Sequence, residues 1–201
     1  ILRHGTEEQK KKYLIPLVKG EAISAGAFTE PDHGSDITQM YTTATLDSDG
    51  FIINGTKTFI SNGTTAQFAL VLCQSDPNVK PTYRGQSTIL VELKREGIDI
   101  SDVGEKMGMW MCPTNELSFN NVRVPKENLI GQLNRGFHQV VEFFDETRVM
   151  VASQALGMAQ GAFDRALDYA KKRVQFGQRL VDFQVTQHKL ADICPFYGRG
   201  R

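Results

Sequence analysis

The chain has 201 residues, about 1.3 domains at roughly 150 residues each, so it holds one full core and part of another. Its 23 basic and 23 acidic residues balance to a net charge of 0, without the basic excess of a nucleic-acid binder or the basic face of a membrane-surface binder. With 40% apolar and 23% charged residues it reads as a globular protein, not a disordered one.

In chain order, Thr6-Glu7-Glu8-Gln9 is an N-cap followed by acidic residues, and Leu14, Leu17 and Val18 form an apolar face. This predicts a short amphipathic helix over 6–19, ending near Gly20. From Ala22 to about Val124 the pattern is β. Runs at 22–28, 41–46, 51–54, 56–60, 67–74, 87–93 and 117–124 are short, rich in small, β-branched or aromatic residues, and mostly separated by Gly, Pro, Asn or Asp. Asp47-Ser48-Asp49-Gly50 closes a hairpin, and 76–85, with two prolines, is a surface loop. Strands without intervening helices predict an antiparallel barrel or sandwich.

After Pro125 the period becomes helical. Phe137, Val140, Phe144, Val151, Ala155, Met158, Ala162, Ala166 and Tyr169 mark a long helix whose apolar stripe needs partner helices. A second helix starts near Asp182, runs through Leu190 and is broken by Pro195 and the Gly198-Arg199-Gly200-Arg201 tail. The fold class is thus an α+β multidomain fragment. A β-domain at 22–125 stands between the end of a helical domain at 1–21 and a truncated helical bundle at 126–201. No apolar run approaches the roughly 18 residues of a membrane span, and Ile1-Leu2-Arg3-His4 does not open a signal peptide. Cys73, Cys112 and Cys194 are widely spaced and odd in number, which points away from disulfides and towards a soluble protein of a reducing compartment.

Four polar segments could carry chemistry. In Phe28-Thr29-Glu30-Pro31-Asp32-His33-Gly34-Ser35-Asp36, Pro31 and Gly34 force an irregular path that offers amides and hydroxyls to a ligand. Read alone, it is equally a solvated turn. A metal set from Glu30, Asp32, His33 and Asp36 is weaker, because the spacing matches no standard ligand pattern. Thr58-Phe59-Ile60-Ser61-Asn62-Gly63 is by itself a strand ending in a turn. Phe144-Asp145-Glu146-Thr147-Arg148 reads as a solvated helix face, and Lys171 to Gly177 as a basic helix end capped by Gly177.

Their order is more specific than any one of them. Thr-Glu-Pro-x-x-Gly-Ser-Asp is followed by Asn-Gly-x-Lys-x-Phe-Ile-Ser-Asn-Gly and a Gly-Met segment with Phe-x-x-Val-x-Val-Pro. Then come Asp-x-Thr-Arg and Arg-x-x-Phe-Gly with Phe-Gln-x-x-Gln. This collinear set, over residues 1 to about 194, closely resembles the acyl-CoA dehydrogenase family.

The resemblance implies a flavoprotein, usually a homotetramer, that desaturates acyl-CoA thioesters at Cα–Cβ and passes electrons to an electron-transfer flavoprotein. It places Phe28 and Thr29 against the flavin of FAD, Ser35 at the CoA portion, and Phe59, Ile60 and Ser61 in the second flavin motif. That motif commonly carries Trp and Thr, for which Phe59 and Ser61 are milder versions. Asp145, Thr147 and Arg148 would line the acyl and pantetheine site, and Arg173 and Gln184 would reach the FAD of a neighbouring subunit. The family's base is mostly a Glu expected beyond residue 201; a minority carry it where Thr147 stands, and Glu146 points about 100° away. No metal is implied. An acyl-CoA oxidase and a base-less, non-enzymatic relic are the alternatives, and the compartment is bacterial cytoplasm or mitochondrial matrix.

Overall fold

The computed structural model describes residues 1–198, with side chains described through 193. The chain divides into two compact units, Ile1–Val141 and a second beginning at Glu142.

In the first unit the predicted N-terminal helix is present in three pieces: α1 (Glu7–Gln9), a π turn over Lys10–Leu14, and α2 (Ile15–Lys19). Thr6 and Gln9 cap each other reciprocally, the Thr6 hydroxyl accepting the Gln9 amide at 3.2 Å and the Gln9 side chain accepting the Thr6 amide at 3.0 Å. The π turn ends at Leu14, two residues before Pro16, which has no N–H to offer the preceding turn. Gly20, at φ 72°, closes the segment.

The strands are β1 (Ser24–Ala27), β2 (Thr43–Leu46), β3 (Gly50–Ser61), β4 (Phe68–Gln74), β5 (Gln86–Glu92), β6 (Ile98–Asp102) and β7 (Thr114–Pro125). They form one sheet in the order β1-β4-β2-β3-β7-β6, with β5 also on β4. Most ladders are antiparallel as expected, but β1 and one residue of β2 pair with β4 in parallel. Two differences have local causes. The runs at 51–54 and 56–60 merge into β3, because Gly55 at φ 139° lets the strand pass a bulge instead of ending. The strand β6 lacks the apolar run that marked the others, yet Ile98 and Ile100 pack against the core. Inside the curl, Ile53, Ile60, Val71, Ile89, Leu117 and Val122 are fully or almost fully buried.

Glu92, at the end of β5, ties the helical segment to the sheet. Its carboxylate accepts from Lys12 at 2.8 Å, Tyr13, Arg95 at 2.6 Å and Asn128 at 3.3 Å. Burial alone would raise its pKa, but the hydrogen bonds from Lys12, Tyr13 and Arg95 outweigh this and hold it at about 2. A carboxyl depressed in the fold contributes stability above its ordinary value of 4.5 and loses it as pH falls towards about 2. Glu92→Gln should therefore lower stability at neutral pH by about 2 kcal/mol, after discounting for partial exposure. The difference should vanish in urea titrations run near the bottom of that window. An equal difference at both pH values would contradict the assignment.

In the second unit, α3 (Gly136–Lys172) continues from Glu142 for most of its length, as the long helical period predicted. Val151, Met158 and Tyr169 on its expected apolar stripe are exposed. Then β8 (Val174–Gln175) and β9 (Gln178–Arg179) form a hairpin. Phe176 at φ 52° and Gly177 at φ 78° make its two-residue turn, so Gly177 is a hairpin residue and not the helix cap expected. The last helix, α4 (Gln184–Gly198), runs through Pro195 where a break was expected. The rest of the predicted tail, 199–201, lies outside the described residues.

Candidate functional site

A bulge in β3 shapes the site. Lys57 pairs with Leu117 and Ile60 with Asn115, so Thr58 and Phe59 oppose Glu116 alone. Phe59 takes up the extra length at φ 56°, a conformation uncommon for a bulky side chain and concentrated at functional positions. The residue is 67% exposed. The Thr58 amide donates to the carbonyl of Thr29 at 3.0 Å. The segment after β1 and the end of β3, 29 residues apart in sequence, are thereby joined.

The two polar segments thus share one edge of the sheet. Phe28 and Thr29 are half-buried, and Ser61 is exposed on the same side of β3 as Phe59. Ile60, between them, turns its side chain into the core, so only its backbone remains at this edge. Among the described residues, neither the Thr29 nor the Ser61 hydroxyl is engaged by a protein partner.

Behind this edge lies a buried ion pair that the sequence reading did not single out. Lys57 and Glu30 side chains are 0% and 2% exposed and meet at 2.9 Å. The other two Lys57 donors go to the Phe28 carbonyl at 3.1 Å and the Met40 sulfur at 3.1 Å. Glu30 also accepts the amides of Tyr41 at 2.7 Å and Thr42 at 2.8 Å. Burial would raise the Glu30 pKa, but the Lys57 charge and these hydrogen bonds outweigh it and hold the carboxyl below its ordinary value. Burial lowers the Lys57 pKa, but its nitrogen faces three acceptors and Glu30 faces two amides, an arrangement that suits the ammonium and carboxylate forms. Nearby, burial pushes the Cys73 thiol up to about 12, which leaves it unreactive.

Glu30 is committed to these partners and unavailable to a metal, and no metal-binding group of His, Cys, Asp and Glu occurs among the described residues. The strand's alternation carried the signal for the pair. Lys57 has the same parity as the core residues Phe51 and Ile53, and an inward lysine needs a carboxylate.

Ser35 is exposed further along the loop. The loop is pinned there by Gln86, whose side-chain amide donates to the Ile37 carbonyl at 2.9 Å, and by Thr82, whose hydroxyl donates to the Thr38 carbonyl at 3.1 Å. His33 and Tyr41, both on this loop, meet edge to face with ring centroids 4.7 Å apart.

The remaining candidates lie in the second unit. Asp145 and Arg148 are paired at 3.3 Å on the exposed face of α3. The Thr147 hydroxyl donates to the Phe143 carbonyl at 3.0 Å, so it is held by the helix itself. Arg173 and Gln184 are exposed, at the end of α3 and the start of α4.

With this geometry in place, two sequence profiles match the chain: acyl-CoA dehydrogenase, middle domain, over residues 25–122, and acyl-CoA dehydrogenase, C-terminal domain, over 134–194. The chain belongs to the acyl-CoA dehydrogenase family, which is a family of oxidoreductases.

Among its relatives is the caffeyl-CoA reductase-Etf complex subunit CarC of Acetobacterium woodii, 43% identical over 194 residues, or 96% of this chain and 51% of that protein. The acyl-CoA dehydrogenase structure from Geobacillus kaustophilus superposes with a TM-score of 0.95 at 41% identity, covering 100% of this chain and 53% of that one. A glutaryl-CoA dehydrogenase from Mycobacterium smegmatis, solved in complex with FADH2, gives 0.91 at 34% identity over 100% of this chain and 50% of that one. The chain spans about half the length of the curated relatives it matches. No helix among the described residues is long and apolar enough to cross a membrane.

Proposed function

We propose that the chain forms the flavin-binding part of an acyl-CoA dehydrogenase that binds FAD and takes a proton from Cα and a hydride from Cβ of an acyl-CoA thioester. The observation that carries the reading is the 3.0 Å bond from the Thr58 amide to the Thr29 carbonyl, which sets two open hydroxyls and an exposed aromatic face on one edge. That donor set fits an isoalloxazine ring, a flat π-system rimmed by hydrogen-bonding atoms. Phe28 and Phe59 would pack on the ring, and Thr29, Ser61 and the Ile60 backbone would bond its polar rim. When bound, FAD supplies a two-electron acceptor for hydride.

Ser35, on the pinned loop, would contact the CoA portion. Asp145 and Arg148 would furnish a fixed charge beside the acyl and pantetheine site, with Thr147 lining it. Arg173 suits a pyrophosphate because its guanidinium is a planar fork of donors, and with Gln184 it would reach the FAD of a neighbouring subunit in a homotetramer. By the family resemblance the proton acceptor would be a Glu beyond residue 201; Thr147 itself has no basic group. Electrons would leave to an electron-transfer flavoprotein.

The test is anaerobic mixing of the full-length flavoprotein with acyl-CoAs of graded chain length. Bleaching of the oxidised flavin band by at least one of them is expected, and no bleaching by any would overturn the reading. A second reading, reduction of an enoyl-CoA, is favoured by the relative named as a reductase-Etf subunit. It predicts that an enoyl-CoA reoxidises the pre-reduced protein faster than the acyl-CoA bleaches the oxidised one.

A further inference from the structure

The Lys57–Glu30 pair sits where the two flavin-facing segments meet, and the proposed function gives it no role. Its geometry is more specific than charge neutralisation requires. A buried lysine needs one carboxylate, yet Lys57 commits a second donor to the Phe28 carbonyl, adjacent to Thr29, at 3.1 Å. Glu30, one residue past Thr29, commits two lone pairs to the Tyr41 and Thr42 amides. The next carbonyl, that of Thr29, receives the Thr58 amide from the residue following Lys57. Consecutive carbonyls of the Phe28–Thr29 segment are therefore held from consecutive residues of β3.

We propose that Lys57 is a positioning residue: its ammonium fixes the Phe28–Thr29 peptide against the Thr58–Phe59 bulge, so that the Thr29 and Ser61 hydroxyls face the flavin at one set spacing. The proposal rests on the flavin reading above and assigns Lys57 no contact with the ring. The ion pair matters here as a rigid frame. Preorganised donors bind a ligand more tightly than donors that must be ordered on binding.

A purely structural pair would behave differently from a frame, and the variant Lys57→Met/Glu30→Gln separates them. It removes both charges together, avoiding the penalty of one buried unpaired ion, and the new glutamine side chain retains one oxygen, enough for one of the two amides that Glu30 accepts on separate oxygens. The Phe28 carbonyl and the Met40 sulfur lose their charged donor, and of these two only the carbonyl belongs to the flavin-facing segment. In the full-length protein, the variant should keep its far-ultraviolet circular dichroism and cooperative unfolding. It should nevertheless bind FAD about tenfold more weakly, the effect of one hydrogen bond to a charged group. The visible circular dichroism of its bound flavin should also change.

Wild-type affinity and an unchanged flavin spectrum in the folded variant would overturn the role of Lys57 while leaving the flavin reading intact. Failure of the wild-type protein to bind FAD would remove both. Should the variant not fold, amide hydrogen exchange on the wild-type protein without FAD decides the matter. Thr58, Tyr41 and Thr42 should be as protected as the buried strand β4, and exchange as fast as that of the exposed residues around Ser35 would overturn the frame.

Discussion

Replacing Glu30 by alanine is expected to destabilise the first unit by about 3–5 kcal/mol, the range for breaking a buried pair from one side. The substitution leaves the Lys57 ammonium at 0% exposure without its counter-charge, and the Tyr41 and Thr42 amides without an acceptor. Urea unfolding followed by circular dichroism measures it, as a lower midpoint at unchanged slope. The exposed pair of Arg123 with Asp47, at 3.0 Å, is the control: Arg123→Ala should cost under about 1 kcal/mol. A Glu30→Ala loss no larger than that of the control would mean that Lys57 is hydrated or neutral, contrary to the network described.

Much of the fold was legible because its periodicities are strong. The hairpin at Asp47–Gly50 was readable from its residue types, and the Asp47 carboxylate indeed accepts the amides of Asp49 and Gly50 at 2.9 and 3.0 Å. The long helix was readable from apolar steps of three and four over more than 30 residues. What escaped depended on partners distant in sequence. The strand β6 is short, and its place is set by pairing with β7. The parallel pairing of β1 with β4 joins segments about 40 residues apart. At the chain's end, Pro195 was read as a stop although α4 continues past it.

The site was legible by resemblance in its residues but not in its construction. Phe28, Thr29, Phe59 and Ser61 were named from motifs, and nothing in those motifs states that β3 must bulge between Lys57 and Ile60 to turn Phe59 outward. Ile60 was grouped with its neighbours because motifs do not record side-chain direction, whereas the strand sends it into the core. Glu30 entered only as a weak metal candidate. Its partner is 27 residues away, and the pairing exists only once the loop folds back onto the strand.

The second large effect concerns the hydroxyls themselves. Each lost hydrogen bond between a neutral hydroxyl and a ligand weakens binding by about 0.5–1.5 kcal/mol, and a buried ligand atom left without its partner adds to this. Thr29→Val and Ser61→Ala remove both hydroxyls while largely keeping side-chain volume, and among the described residues neither hydroxyl has a protein partner whose loss would disturb the fold. The double variant should unfold like the wild type yet bind FAD on the order of 100-fold more weakly. Titration of the full-length apoprotein with FAD, read by quenching of flavin fluorescence, therefore probes the joined edge directly. A loss of that size in a normally folded variant is the predicted result. An affinity equal to that of the wild type would mean that the ring lies elsewhere and would contradict the account.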